Sequence, residues 1–161
     1  MLQYSLLRKR NYRPLQFLLL MIFILQFSNC DLNGTDNSDY PEGSWSSGSD
    51  SYEISATILN YDDGSNGQWG MSYSGKIHHK SRFNDKAGVL IIEYTEPPAF
   101  AVGNFIGIYY RDLSKDTVKL ANPYDPEGTE TSTLADALQK FTKANEGKMV
   151  NWSIVQTQKR K

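Results

Sequence analysis

Between Tyr52 and Ile77 apolar and polar residues alternate with a period of two. Tyr52, Ile54, Ala56 and Ile58 share one face against Glu53, Ser55 and Thr57 on the other, the pattern of a half-buried strand. Asp62-Asp63-Gly64-Ser65-Asn66-Gly67 is a turn by composition. The alternation then resumes, with Met71, Tyr73, Gly75 and Ile77 opposite Ser72, Ser74, Lys76 and His78. Ala87 to Tyr94, AGVLIIEY, is almost continuously apolar, which predicts a strand covered on both faces near the middle of the sheet. Glu96-Pro97-Pro98 ends it, because proline cannot donate to a ladder. Asn104–Arg111 predicts a fourth strand and Thr117–Ala121 a short fifth, with Leu113–Asp116 as the hairpin between them.

After a loop at 122–131 the period changes. Thr133 is placed to cap a helix and Asp136 to reach back to it, a capping-box variant. Leu134, Leu138 and Phe141 fall at i, i+4 and i+7 on one face. Gly147 lies where a C-terminal cap belongs, so one helix is expected over roughly 133–145. Val150, Trp152 and Ile154 alternate with Asn151 and Ser153 in a last strand. Short connections between successive strands argue for an antiparallel meander. The expectation is a mainly β domain whose six to seven strands curl into a barrel or half-barrel, one helix before the last strand covering an open side.

The opposite pattern stands at the start. A leader whose only charges are Arg8, Lys9, Arg10 and Arg13 runs into Phe17–Leu25, where every residue is apolar. A spanning helix wants about 20 apolar residues, whereas a positive start, a short apolar core and a small-residue exit describe a signal peptide. Phe27-Ser28-Asn29-Cys30 resembles a bacterial lipobox, with Phe27 where that motif prefers Leu and Asn29 where it prefers a small residue. The resemblance implies diacylglycerol on Cys30, the single cysteine, and cleavage just before it. Cleavage after Cys30 would instead release a soluble protein, and no cleavage would leave a signal anchor. Asp31–Ser51 is dominated by Asp, Asn, Gly and Ser, too polar to offset its ordering entropy. The expected organisation is therefore a signal peptide at 1–29, a lipidated Cys30 with an acidic flexible tether to residue 51, and one β-rich domain at 52–161.

Charge narrows the partners. The 161 residues carry a net charge of −1, and the leader holds four positive charges and no negative ones, so the exported part stands at −5. Asp31, Asp36, Asp39, Glu42 and Asp50 account for it, leaving 52–161 near neutral. Nucleic-acid binders need a basic stripe, and Lys159-Arg160-Lys161 reads as a solvated tail. With Cys30 acylated the domain holds neither thiol nor disulfide.

Chemistry is sparse. The sequence has no Gly-x-Ser-x-Gly elbow, P-loop, dinucleotide-binding glycine pattern or His-Glu-x-x-His. His78 and His79 are the only histidines; strand neighbours point to opposite faces and do not readily grip one metal ion. Asp62, Asp63 and Asn66 lack EF-hand spacing, so no metal and no cofactor is expected. Glu93 interrupts an apolar run and, with His79, is the one candidate for acid–base work. Aromatics are abundant, with ten Tyr, seven Phe and three Trp. Trp69, Tyr73, Tyr94, Tyr109 and Tyr110 are candidates to line a ligand pocket, with Gly75 and Gly107 leaving room beside them; the competing expectation is that they fill the core.

Gly43-Ser44-Trp45 matches the Gly-x-Trp that opens the first strand of lipocalin-like barrels. The runs AGVLIIEYTEPP, GNFIGIYYRDL and TLADALQKFT, in that order, resemble small treponemal-type lipoproteins with a lipocalin-like β domain, over about residues 43–157. The resemblance implies a fold and an export route and assigns no catalytic residue. The functional expectation is a lipid-anchored, non-catalytic binding or interaction module of the cell envelope, taking a small apolar ligand or an envelope or host protein. The alternatives are an envelope enzyme with an unfamiliar site and a freely secreted small-ligand carrier.

Overall fold

The computed structural model describes residues 39–48, 50–64, 72–96, 102–124 and 128–161. Eight antiparallel strands close into a barrel in chain order. They are β1 (Gly43–Ser47), β2 (Asp50–Ile54), β3 (Ile58–Asp62), β4 (Tyr73–Asn84), β5 (Ala87–Glu96), β6 (Phe105–Arg111), β7 (Thr117–Ala121) and β8 (Thr157–Arg160). Two helices, α1 (Leu134–Lys140) and α2 (Lys143–Met149), lie between β7 and β8. The expected mainly β, lipocalin-like meander is what forms. It has eight strands rather than six or seven, and two short helices rather than one.

The register explains the interior. Trp45 pairs with Tyr52, Tyr52 with Tyr61 and Tyr61 with Tyr73, so one row of inward aromatic side chains crosses four strands. The next row runs Gly43, Ile54, Leu59, Gly75 and Tyr94. Tyr52, Tyr61, Tyr73 and Tyr94 touch in sequence, two tilted contacts and then an edge-to-face one, with ring centroids 4.8, 5.2 and 5.2 Å apart. Ile77, Leu90, Ile92, Ile106, Ile108, Val118 and Leu120 complete the buried core. β5 is buried on both faces, as its unbroken apolar run predicts, although a closed barrel leaves no strand more central than another.

The outer face of β6 is covered by the helices. Thr133 Oγ1 accepts from Asp136 N at 3.1 Å, the expected cap. The predicted single helix breaks at Phe141–Thr142, because Phe141 turns down onto the sheet at Gly107. A Cβ on Gly107 would lie 2.5 Å from Phe141 Cγ. Gly147 is interior to α2 and is not a cap.

Four stretches depart from expectation. Gly43–Ser47 is β1 and Asp50–Ser51 opens β2, so the barrel claims the end of the predicted tether. Trp45 explains why: fully buried, it donates from Nε1 to Pro41 O at 2.8 Å while the Arg160 guanidinium stacks 4.6 Å from its ring. Arg160 pairs with Trp45 in the ladder that closes the barrel, so Lys159-Arg160 is strand rather than solvated tail. Val150–Ile154, the predicted last strand, is instead a loop and turn. Finally, Ser55–Thr57 divides the predicted 52–58 strand, with Ser55 Oγ accepting from Ile58 N at 2.9 Å.

The C-terminal ends of β1, β3, β5 and β7 lie at one end of the barrel, the mouth. The chain enters at the other end, the base, where Asp39–Glu42 lies against the overhanging part of β4. Glu42 pairs with Lys80 at 2.7 Å, Asp39 pairs with Arg82 at 3.0 Å, and Tyr40 sits under the Lys80 ammonium.

Candidate functional site

The four described members of the predicted pocket set take two different places in the fold. Tyr73, Tyr94 and Tyr110 point inward and are buried in the barrel core. Tyr109 is on the outer face beneath the helices, where its hydroxyl donates to Thr142 O at 3.3 Å and lies 3.5 Å from Met149 Sδ. Cys30, Trp69 and Asn66 fall outside the described residues. Neither glycine leaves space: a Cβ on Gly75 would meet Ile92 Cδ1 at 2.6 Å, and Gly107 is filled by Phe141. The four described tyrosines therefore act as core, the competing expectation.

Burial sets their chemistry. Removal from water disfavours the phenolate, so Tyr52, Tyr73, Tyr94 and Tyr109 are all pushed above the ordinary tyrosine range. Tyr61 is raised to about 12 by burial and then by Asp50. Tyr110 is raised to about 12 by burial and then by Tyr40, with Arg82 opposing. The Tyr73 hydroxyl donates to Asn122 Oδ1 at 2.8 Å, tying the core to the end of β7.

The histidines are rearranged by a β-bulge. The β4–β5 register slips between Ile77 and His79, and one extra residue in a strand re-aims the side chains beside it. His78 consequently faces outward towards Glu93, and His79, paired with Ile91, also lies on the outer face. The expected opposition of the two imidazoles does not hold. His78 Nε2 stands 2.6 Å from Glu93 Oε2, with Phe105 edge-on to the imidazole at 5.5 Å. His79 instead lines a groove with Ile91, Leu138 and Phe141. The carboxylate thus meets the other histidine of the pair, on a surface where the two side chains keep 23% and 33% of their exposure. Such a pair can hold or pass a proton, but no cleft encloses it.

Among the described residues no group of three His, Cys, Asp or Glu is arranged to hold a metal ion. Asp62 Oδ1 accepts from Gly64 N at 2.9 Å and from Ser72 Oγ at 3.2 Å, the behaviour of a turn residue. No described helix is long and apolar enough to cross a membrane.

Comparison with protein-family models, curated proteins and solved structures returns no match. The chain's own surface is then the remaining guide. A crevice of about 600 Å³ opens where β7 and β8 diverge, between Asn122–Tyr124 on one side and Trp152–Val155 on the other, with Met149 and Val150 at its floor. Tyr124 and Ile154 flank it, each 76% exposed. Sequence reasoning placed Ile154 on a strand and Tyr124 in a loop and singled out neither. The available signal was two large apolar residues in segments otherwise rich in Pro, Asn and Ser.

Proposed function

We propose that this chain is exported, acylated at Cys30 and held at the cell envelope as a non-catalytic binding and interaction module. The leader and the lipobox-like Phe27–Cys30 support the address and the anchor. The observation that carries the binding-module reading is the occupancy of the barrel interior. Where a carrier would seat a ligand, Trp45, Tyr52, Tyr73, Tyr94 and Tyr110 pack against one another and against aliphatic side chains. Small barrels are filled by their own side chains in this way, and recognition then falls to the outer surface and the ends. The His78–Glu93 pair, open to solvent and outside any enclosing cleft, supports a structural role over a catalytic one.

The test is the intact mass of the protein from its native membrane fraction beside a Cys30→Ser variant. Cleavage before Cys30 with added acyl chains, lost in the variant, is the expected result. Two or more chains anchor a protein stably where a single one does not. An unmodified chain cut after Cys30 would make this a freely secreted protein, and an uncut chain would discard the lipobox reading altogether.

A further inference from the structure

We infer that the base of the barrel is a binding site for a small dianion bearing carboxylate or phosphate oxygens, which Asp39 and Glu42 of the chain itself occupy as built-in stand-ins. Charged side chains turned into a barrel need a reason, because burying an unpaired charge is costly. The β4–β5 bulge turns two of them inward. Tyr73, Gly75 and Ile77 face the core, and without the slip at Ile77–His79 the inward positions would continue as His79 and Ser81. With it, Lys80 pairs with Leu90 and Arg82 with Gly88, so both cations take the inner face at the base. A lysine and an arginine two positions apart on one face suit a doubly charged oxyanion, the guanidinium gripping two oxygens at once. The strap that covers them, Asp39–Glu42, answers with that chemistry. Glu42 meets Lys80 at 2.7 Å and Asp39 meets Arg82 at 3.0 Å, with Asp85 on the other guanidinium nitrogen at 3.0 Å.

A third group at the base is left unused. Tyr110 is fully buried, and among the described residues its hydroxyl has no hydrogen-bond partner. Buried polar groups are nearly always paired, so an orphan asks for a partner from elsewhere. Its position is set by Gly88, the ladder partner of both Arg82 and Tyr110. A Cβ there would stand 2.6 Å from the hydroxyl oxygen, so the phenol lies across the bare glycine in the row that leads to Arg82. Tyr40, Arg82 and Asp39 all lie near enough to bear on its ionisation, after burial itself. The O–H is thus a free donor beside two cations, and an oxyanion is the one group all three can share. Asp39 and Glu42 do not satisfy it. Their ion pairs are partly exposed, the kind that holds weakly in water, so a free dianion that adds the Tyr110 bond can displace them. This site does not depend on a lipid at Cys30: the mass measurement above decides the address, and a titration decides binding.

The experiment is calorimetric titration of the full chain with succinate and with inorganic phosphate, at fixed ionic strength so that simple screening of the ion pairs cancels. Asp39→Asn with Glu42→Gln keeps the shape of the strap and removes both stand-ins. That double variant should bind one or both anions at least tenfold more tightly than the wild-type chain, and the tighter of the two tells carboxylate from phosphate. Adding Tyr110→Phe deletes only the orphan hydroxyl and should weaken binding by about tenfold, the usual size of a hydrogen bond to a charged group. The melting temperature of the anion-free protein should not fall with Tyr110→Phe, because the hydroxyl has no bond to lose there; a merely structural hydroxyl would lower it. If the double variant does not fold, the wild-type chain decides, through weaker anion binding that Tyr110→Phe diminishes. No binding by either chain, a folded double variant that binds no tighter than wild type, binding indifferent to Tyr110→Phe, or a drop in melting temperature from that change would overturn the inference.

Discussion

Gly107→Ala should be among the most damaging single-methyl changes in the protein. The new Cβ would stand 2.5 Å from Phe141 Cγ, 2.7 Å from its Cβ and 2.8 Å from its Cδ1. Carbon atoms in contact prefer about 3.5–4.0 Å, so the ring must retreat by about 1 Å. It has nowhere to go, being almost fully buried and fixed at the end of α1 by Phe141 N donating to Ala137 O at 2.9 Å. Overpacking of this kind costs about 1–3 kcal/mol. Phe141→Ala alone should cost about 3–5 kcal/mol, the usual range for emptying a phenylalanine site. The two changes are not independent, because the alanine methyl occupies part of the space the ring vacates. The double variant should therefore be more stable than the sum of the singles predicts, by about 1–2 kcal/mol. Urea unfolding followed by tryptophan fluorescence measures all four proteins. With a slope near 2 kcal/mol per molar, Gly107→Ala should lower the midpoint by about 1 M. A shift below about 0.2 M, or strict additivity in the cycle, would refute the argument that α1 is seated through this contact.

Two further outcomes follow from the barrel's chemistry. Arg160→Ala removes the cation stacked on Trp45 and the bond from Arg160 Nε to Lys115 O at 2.8 Å; a loss of about 1–2 kcal/mol is expected in thermal melts, with Arg160→Lys intermediate, and no change would deny the ladder-closing role. Alkaline stability should be limited by the buried phenols. Their folded pKa values lie above the unfolded value near 10, with Tyr61 and Tyr110 at about 12. The folded state thus keeps protons that the unfolded state loses, and the stabilisation, complete below about pH 9, disappears as pH rises from 10 through 12. Absorbance at 295 nm should show these tyrosines ionising together with unfolding, and independent ionisation near pH 10 would be the contrary result.

Apolar pattern decided what was legible in the sequence. β7 is found at Thr117–Ala121 as expected, and AGVLIIEY is buried on both sides. Both elements rest on side chains whose burial is hydrophobic. β1 left only the Gly43-Ser44-Trp45 signature and β8 no signal, because theirs is not. In Gly43–Ser47 only Trp45 is large and apolar, and in Thr157–Arg160 the inward residues are Gln158 and Arg160. Arg160 is held by stacking and a backbone carbonyl, and Gln158 donates to Ser47 Oγ at 3.2 Å, interactions with no period to detect. The α1–α2 break was hidden for a related reason: Phe141 has the right helical spacing but serves a glycine on another element, information that becomes local only after folding. The same holds for the site. Glu93 was recognisable as an anomaly within an apolar run, yet the bulge that gives it His78 rather than His79 is a property of the β4–β5 pairing.

Closure of the barrel joins residues far apart in the chain, Ser47 and Gln158 being 111 positions from one another. A β1–β8 seam of two ladder pairs, Trp45 with Arg160 and Ser46 with Lys159, has a consequence for timing. While the chain is being made, β1 and β7 must wait as open strand edges until Arg160 has been added. Distant pairings form slowly, and open edges invite mispairing with other chains. A chain stalled a few residues short of Arg160 would hold most of its core and still lack a sealed wall, so its last few residues decide whether those edges are ever withdrawn from other chains.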